Sequence, residues 1–219
     1  MHLDMEYAQD HSFSPESKLK LYFSPGTCSL AVNIALQETG LAYTPVKVDL
    51  KTKKTAAGDD FNAINAKGYV PALVLDSGEL LTEVPAVLQF VADLAPQSNL
   101  APANGTLERY LLQSWLTYVG TEVHKNFGPF FNPAATPEWK NACMANLERR
   151  LGYANDQLQG KDYLMGSQFT VADAYLFNTL SWAKFIKLNL EQWPNLAAYQ
   201  QRIAERPSVV AARNLEKTA

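Results

Sequence analysis

Residues 19–40 read LKLYFSPGTCSLAVNIALQETG, and this stretch decides the architecture. Leu19 to Phe23 is a short run of aliphatic and aromatic residues, which predicts a strand. Ser24-Pro25-Gly26-Thr27 is turn chemistry, and a helix is expected from about Ser29 to Thr39. Its inner face takes Leu30 and Ile34, with Val32 or Leu36 beside them, and Gly40 stops it just past its last turn. Cys28 therefore stands where a Pro/Gly loop meets a helix N-terminus. Unpaired backbone N–H groups and the positive dipole end favour thiolate there, so a lowered thiol pKa is expected. The competing reading is a small residue filling space at a loop end. Both readings stay open on position alone.

Working outward, Tyr43 to Leu50 predicts a second strand, and the polar stretch Lys51 to Asn65 holds a short helix near its end. Ala72 to Leu75 and Glu79 to Thr82 flank Asp76-Ser77-Gly78 as a hairpin, and a helix follows over Pro85 to Leu94. The expected order, βαβαββα, is thioredoxin-like, with the first helix crossing over between parallel strands. Ala95 to Gly105 (APQSNLAPANG) is the linker candidate. Helical periodicity then takes over at Leu107–Phe127, Pro137–Leu158, Val171–Phe185 and Leu196–Glu205, with a last short helix after Pro207. The fold class expected is thus α/β followed by all-α. An extension covers 1–17, a thioredoxin-like unit 18–97, a linker 98–105 and a helical bundle 106–219.

Bulk properties exclude several function classes. Hydrophobic residues are 47% and charged residues 19% of the 219, an ordinary globular balance. The net charge of −3, with no Lys/Arg stripe, makes nucleic acid a poor partner, although Lys51, Lys53 and Lys54 cluster. Two cysteines, Cys28 and Cys143, make no disulfide framework and fit a reducing compartment. Residues 1–17 lack the basic start and apolar run of a signal peptide, no stretch suits a bilayer, and a cytoplasmic location is expected. No zinc-ligand spacing, Rossmann fingerprint, phosphate loop or hydrolase elbow occurs, so no metal is expected.

Chemistry-bearing candidates remain few. Ala31 stands where a C-x-x-C pair would need its second cysteine, so Cys28 chemistry is monothiol, through a mixed disulfide with an external thiol. Cys143, mid-helix, reads as structural. Val70-Pro71 precedes a strand; a cis bond there would turn the Val70 backbone edge toward a peptide-like ligand, and a plain strand start is the alternative. Glu83 precedes a helix and either complements its dipole or accepts a ligand ammonium while the helix end binds the neighbouring carboxylate. Thr170 and Asp173 are spaced as a capping box, a folding signal. His124, in Glu122-Val123-His124-Lys125, is a lone histidine on a helix, packed or functional.

Together these segments resemble the glutathione transferase family over nearly the whole chain from Lys18 onward. Ser24–Leu30 (SPGTCSL) is similar to the signature of the bacterial beta class. Lys67–Leu73 (KGYVPAL) is similar to the family's cis-proline segment, Leu81-Thr82-Glu83 to its glutamyl-binding segment, and Phe169–Ala174 (FTVADA) to its helix-capping motif. The resemblance implies glutathione as co-substrate, Cys28 beside its sulfur and able to form a mixed disulfide, and Val70 of the Val70-Pro71 pair on its cysteinyl part. It further implies Glu83 and the Val84 N–H at the γ-glutamyl end, Lys53 at the glycyl carboxylate, and His124 and Lys125 facing the site. It implies a homodimer acting on small hydrophobic electrophiles, with Tyr118, Phe127 and Phe130 either lining an apolar pocket or packing in the core. The chain departs from the pattern at Val84, usually Ser or Gly, at Tyr69, often Gln, and at Asn33, often His. Two other readings accompany the conjugating enzyme: a monothiol disulfide reductase or dehalogenase, and a non-catalytic ligand-binding protein of the same fold.

Overall fold

The structure is a computed structural model, and it describes residues 19–218. The proposed extension over 1–17 lies outside the described residues. Strand β1 (Leu19–Phe23) buries Leu19, Leu21 and Phe23 on one face, with Lys20 exposed and Tyr22 half-buried on the other. This period of two places β1 at the centre of a five-stranded sheet. Helix α1 (Ser29–Thr39) crosses over to β2 (Tyr43–Asp49), which pairs parallel to β1. A two-residue strand β3 (Lys54–Thr55), unforeseen in the sequence, closes the β2 edge, and α2 is Phe61–Ile64. The hairpin β4 (Ala72–Val74) and β5 (Leu80–Thr82) adds antiparallel strands on the other side of β1. The strand order is β3-β2-β1-β4-β5, and α3 (Val84–Leu94) follows.

Gly40 ends α1 at φ 69°, with its N–H on Leu36 O; only glycine holds that conformation at little cost. The one-sided inner face expected for α1 is corrected: Ser29 through Leu36 are all buried. The helix is covered by the sheet and α3 and also by two helices of the second half, so it has no solvent face. A small separate cluster of Val48, Phe61, Val70 and Ala72 fills the opposite side of the sheet beneath α2.

The segment 95–105 is not loose. It contains a 3₁₀ turn, and Leu100 is buried with its carbonyl accepting from the Val171 N–H at 3.0 Å. The second half starts with α4 (Leu107–Tyr118), capped by Thr106. The single helix expected over Leu107–Phe127 is interrupted: Val119–His124 is π-helical before α5 (Lys125–Phe127). Next come α6 (Pro137–Gln157), capped by Thr136, and α7 (Val171–Leu180), which is buried on every side. Helix α7 stops earlier than its apolar run suggests. Ser181 Oγ bonds back to Asn178 O at 2.6 Å, and the chain turns into a 3₁₀ segment, Ala183–Ile186. Asp173 accepts from the Thr170 N–H at 2.8 Å, as the capping-box spacing predicts, and its carboxylate also accepts from Thr170 Oγ1 at 2.9 Å. Helices α8 (Pro194–Ala204) and α9 (Pro207–Thr218) complete the bundle, α9 packing on α1.

Candidate active site

A cavity of about 460 Å³ opens between the two halves. Cys28, Tyr69, Val70, Pro71, Glu83 and Val84 wall it from the sheet side, and Gly120, Thr121, His124, Lys125 and Tyr175 from the helical side. The Val70-Pro71 bond is cis. Of the residues that the resemblance places on glutathione or facing it, only Lys53 does not wall this space. Its Nζ donates to Gly68 O at 2.6 Å, in the turn before the cis bond. A second cavity of about 690 Å³, walled in part by Ser24 and Pro25, has Lys47, Lys51 and Lys54 in its wall but no cysteine or histidine.

Cys28 is half-buried and caps α1, and its Sγ–H donates to Val70 O at 3.3 Å. The expected fall in its pKa is corrected. Burial pushes the thiol up to about 12, and the charge of Glu83 adds to this; the helix-end backbone and Lys125 oppose it without winning. The bond to Val70 O acts in the same sense, because only the protonated sulfur can donate.

Glu83 is no ordinary capping acid. Its backbone sits at φ 71°, and its side chain bonds no helix N–H. Instead Oε1 accepts from Lys67 Nζ at 2.6 Å and Tyr69 O–H at 2.7 Å. The Lys67 and Tyr69 hydrogen bonds hold its carboxyl below the usual range. Neither Lys67 nor Tyr69 stood out as a site residue. Both lie in the cis-proline segment, and their link to Glu83 is made across the β4–β5 hairpin. Val84 opens α3 and is buried, and Pro85 after it has no N–H to offer.

His124 closes the π-helical segment. Its Nδ1 lies 2.7 Å from Tyr175 O–H, and its ring meets Trp182 edge-on with centroids 4.8 Å apart. Burial, aided by Lys125, brings its pKa down to about 4, so the imidazole is neutral at pH 7. Trp182 in turn donates Nε1–H to Gly26 O at 2.9 Å, tying the turn before Cys28 to the helical half. Gly120 lies where a side chain would approach the Tyr175 hydroxyl, and its bare backbone keeps the cavity wall thin. Tyr118 faces away: its hydroxyl donates to Arg150 O and its ring packs on Trp115 and Tyr153. Phe127 is fully buried and Phe130 half-buried against the core, so the packing reading holds for these aromatics. The described residues contain no cluster of three or more His, Cys, Asp or Glu side chains placed to hold a metal ion.

Cys28, the Val70 edge before the cis-proline and the Glu83 carboxylate thus face one cavity from the sheet half, opposite His124 and Lys125 of the helical half. The family profile "Glutathione S-transferase, N-terminal domain" matches residues 25–94, and "Glutathione S-transferase, C-terminal domain" matches residues 118–207. The glutathione S-transferase GstA of Escherichia coli O157:H7 is 46% identical over 198 residues, covering 90% of this chain and 98% of the relative. The chain belongs to the glutathione S-transferase family. Among solved structures of that family, a bacterial beta class glutathione S-transferase of Sphingomonas chungbukensis superposes with a TM-score of 0.88. It is 50% identical and covers 91% of this chain and 100% of its own. A sphingomonad glutathione S-transferase complexed with glutathione gives a TM-score of 0.88 at 48% identity, over 91% of this chain and 100% of its own. No helix among the described residues of this family member is long and apolar enough to cross a membrane.

Proposed function

We propose that this chain is a glutathione transferase that joins the sulfur of glutathione to small hydrophobic electrophiles. One observation carries the reading: a single cavity gathers Cys28, the edge of Val70 before a cis-proline, Glu83 and His124. Residues 18–97 then form the glutathione-binding unit and 106–219 the unit that receives the electrophile. Glutathione lies with its cysteinyl backbone on Val70 and its γ-glutamyl ammonium toward Glu83. The Val84 N–H meets the neighbouring carboxylate, and Lys53 the glycyl carboxylate. The thiol loses its proton to water. The thiolate forms the new S–C bond while the leaving group departs with the electron pair of the bond that breaks. Lys125 supplies positive charge beside the sulfur, and His124 a neutral polar contact. The working form is a homodimer in the cytoplasm.

Cys28 enters this chemistry mainly as a protonated thiol that donates to the ligand sulfur. Its raised pKa favours conjugation over the monothiol reductase reading, which needs the thiolate. A mixed disulfide still forms with oxidised glutathione, slowly: the small fraction of Cys28 that has lost its proton to water attacks one sulfur of the disulfide as thiolate, and the other glutathione leaves as thiolate. The test compares the native chain with Cys28→Ala, measuring conjugation to an activated aryl chloride and intact mass after incubation with oxidised glutathione. Native protein conjugates and gains one glutathione adduct. The variant keeps conjugation within about tenfold, the loss of one weak donor, and gains no adduct. Failure of native protein to bind glutathione at millimolar concentration, with apolar dyes still bound, would move the reading to a ligand-binding protein.

A further inference from the structure

We infer that the Tyr175 hydroxyl fixes His124 as the neutral tautomer with its proton on Nε2, so that the imidazole serves the Cys28 cavity as a hydrogen-bond donor and Tyr175 is a positioning residue of the site. The tautomer stands on the 2.7 Å contact and on the burial of both rings; the identity of the anion it meets rests on the proposed glutathione reading.

His124 Nδ1 and Tyr175 O–H are 2.7 Å apart, and either a phenol donates to Nδ1 or an Nδ1–H donates to the phenol. Tyr175 is 2% exposed, and Nδ1 is the only hydrogen-bond partner of its hydroxyl among the described residues. A buried hydroxyl whose proton points at nothing loses the desolvation cost of a donor. Turned toward Nδ1, the same proton is satisfied. Burial, with Cys28 and Glu83 nearby, also raises the phenol's pKa, which keeps that proton in place. Nδ1 therefore accepts. Because His124 is neutral, its one ring proton sits on Nε2, which makes no hydrogen bond to any described residue.

The ring is also held against rotation. Trp182 lies edge-on against it at 4.8 Å, and Trp182 is itself anchored through Nε1–H to Gly26 O at 2.9 Å. A flip of the imidazole would put carbon where Nδ1 meets the phenol. The consequence for chemistry is directional. An imidazole presenting N–H cannot take the proton of a ligand thiol at that nitrogen; it can only donate to the sulfur once the proton has gone to solvent. The π-helical turn holds both His124 and Gly120, and Tyr175 of α7 packs against this turn.

The test is nitrogen-15 NMR of histidine-labelled protein at pH 7, with the His124 signals identified by their loss in His124→Gln. The expected native spectrum has a protonated Nε2 and an unprotonated Nδ1, and glutathione shifts the Nε2 signal. In Tyr175→Phe the two tautomers mix, the apparent pKa of bound glutathione thiol rises, and kcat/KM for conjugation at pH 6.5 falls about tenfold, less than the loss of a whole oxyanion donor. A native spectrum with the proton on Nδ1 would overturn the inference, as would a Tyr175→Phe protein with unchanged tautomer and thiol pKa. Should that variant not fold, the native spectrum decides alone. A correct tautomer with no response to glutathione would leave Tyr175 its role and remove glutathione from the site.

Discussion

At the scale of single residues, the cavity sets protonation states opposite to those its sequence positions suggest. Cys28 sits at a helix N-terminus, yet burial and a bond to Val70 O keep it a thiol, with a pKa pushed up to about 12. The expected outcome is slow alkylation: iodoacetamide should react with the ligand-free protein at pH 7.5 at least about a hundredfold slower than with a free cysteine, whose thiolate fraction is far larger. Because the folded thiol titrates above its ordinary value, the rate should keep rising about tenfold per pH unit through pH 9 to 11. A rate already level by pH 8 would show a thiolate. Position along the chain made Cys28 legible, because Pro25-Gly26 and the helix start are local signals. The protonation state was not legible, since it is set by burial in the folded chain, by the bond to Val70 O and by the charge of Glu83, and both partners are distant in sequence. Tyr175 was invisible for a related reason. It lies in a run buried from end to end, VADAYLFNTL, where one polar atom changes no periodicity.

At the scale of elements, sequence punctuation located the strands and helices well wherever a turn residue marked their ends. It missed β3, whose two residues carry no pattern, and the π-helical turn, because an apolar repeat does not distinguish one wider turn from its neighbours. It also missed the role of α9. Glu216 on that helix accepts the Gly26 N–H through Oε2 at 3.0 Å, while its Oε1 is buried with no partner. Burial pushes this carboxyl up to about 7, more than the Gly26 bond and Arg213 hold it down. A carboxyl with a raised folded pKa contributes stability that is complete below its ordinary value of 4.5 and is lost as pH rises through 7. Glu216→Gln keeps an acceptor for Gly26 and cannot ionise. Between pH 5 and pH 8.5 its stability relative to native protein should therefore improve by about 1–2 kcal/mol, discounted for partial access of water. Urea unfolding at the two pH values checks this, and pH-independent costs of the amide cancel in the comparison. An unchanged difference would mean that the carboxylate is solvated in the folded protein.

At the scale of the whole molecule, the two halves share one hydrophobic core, with residues from Leu19 to Ala212 in a single cluster. The turn before Cys28 is held from the helical side at both backbone groups of Gly26, by Trp182 and Glu216, and Glu38 of α1 pairs with Arg206 at 2.8 Å. The site is thus a product of the union of both halves. Among the apolar side chains this union leaves uncovered, three lie together on α4. Leu112 and Leu116 face the core, while Leu107, Tyr110 and Leu111 stand 68%, 60% and 50% exposed. Their spacing of three and four residues places them on one face of the helix. This face is apolar and left to water, and the proposed homodimer is expected to bury it against a second copy of the chain. Leu107→Glu with Leu111→Glu puts two carboxylates into that contact without touching the core. Sedimentation velocity at micromolar protein should show a dimer for the native chain and a monomer for the double variant, with unchanged circular dichroism. A variant that still sediments as a dimer would place the interface on another face of the molecule.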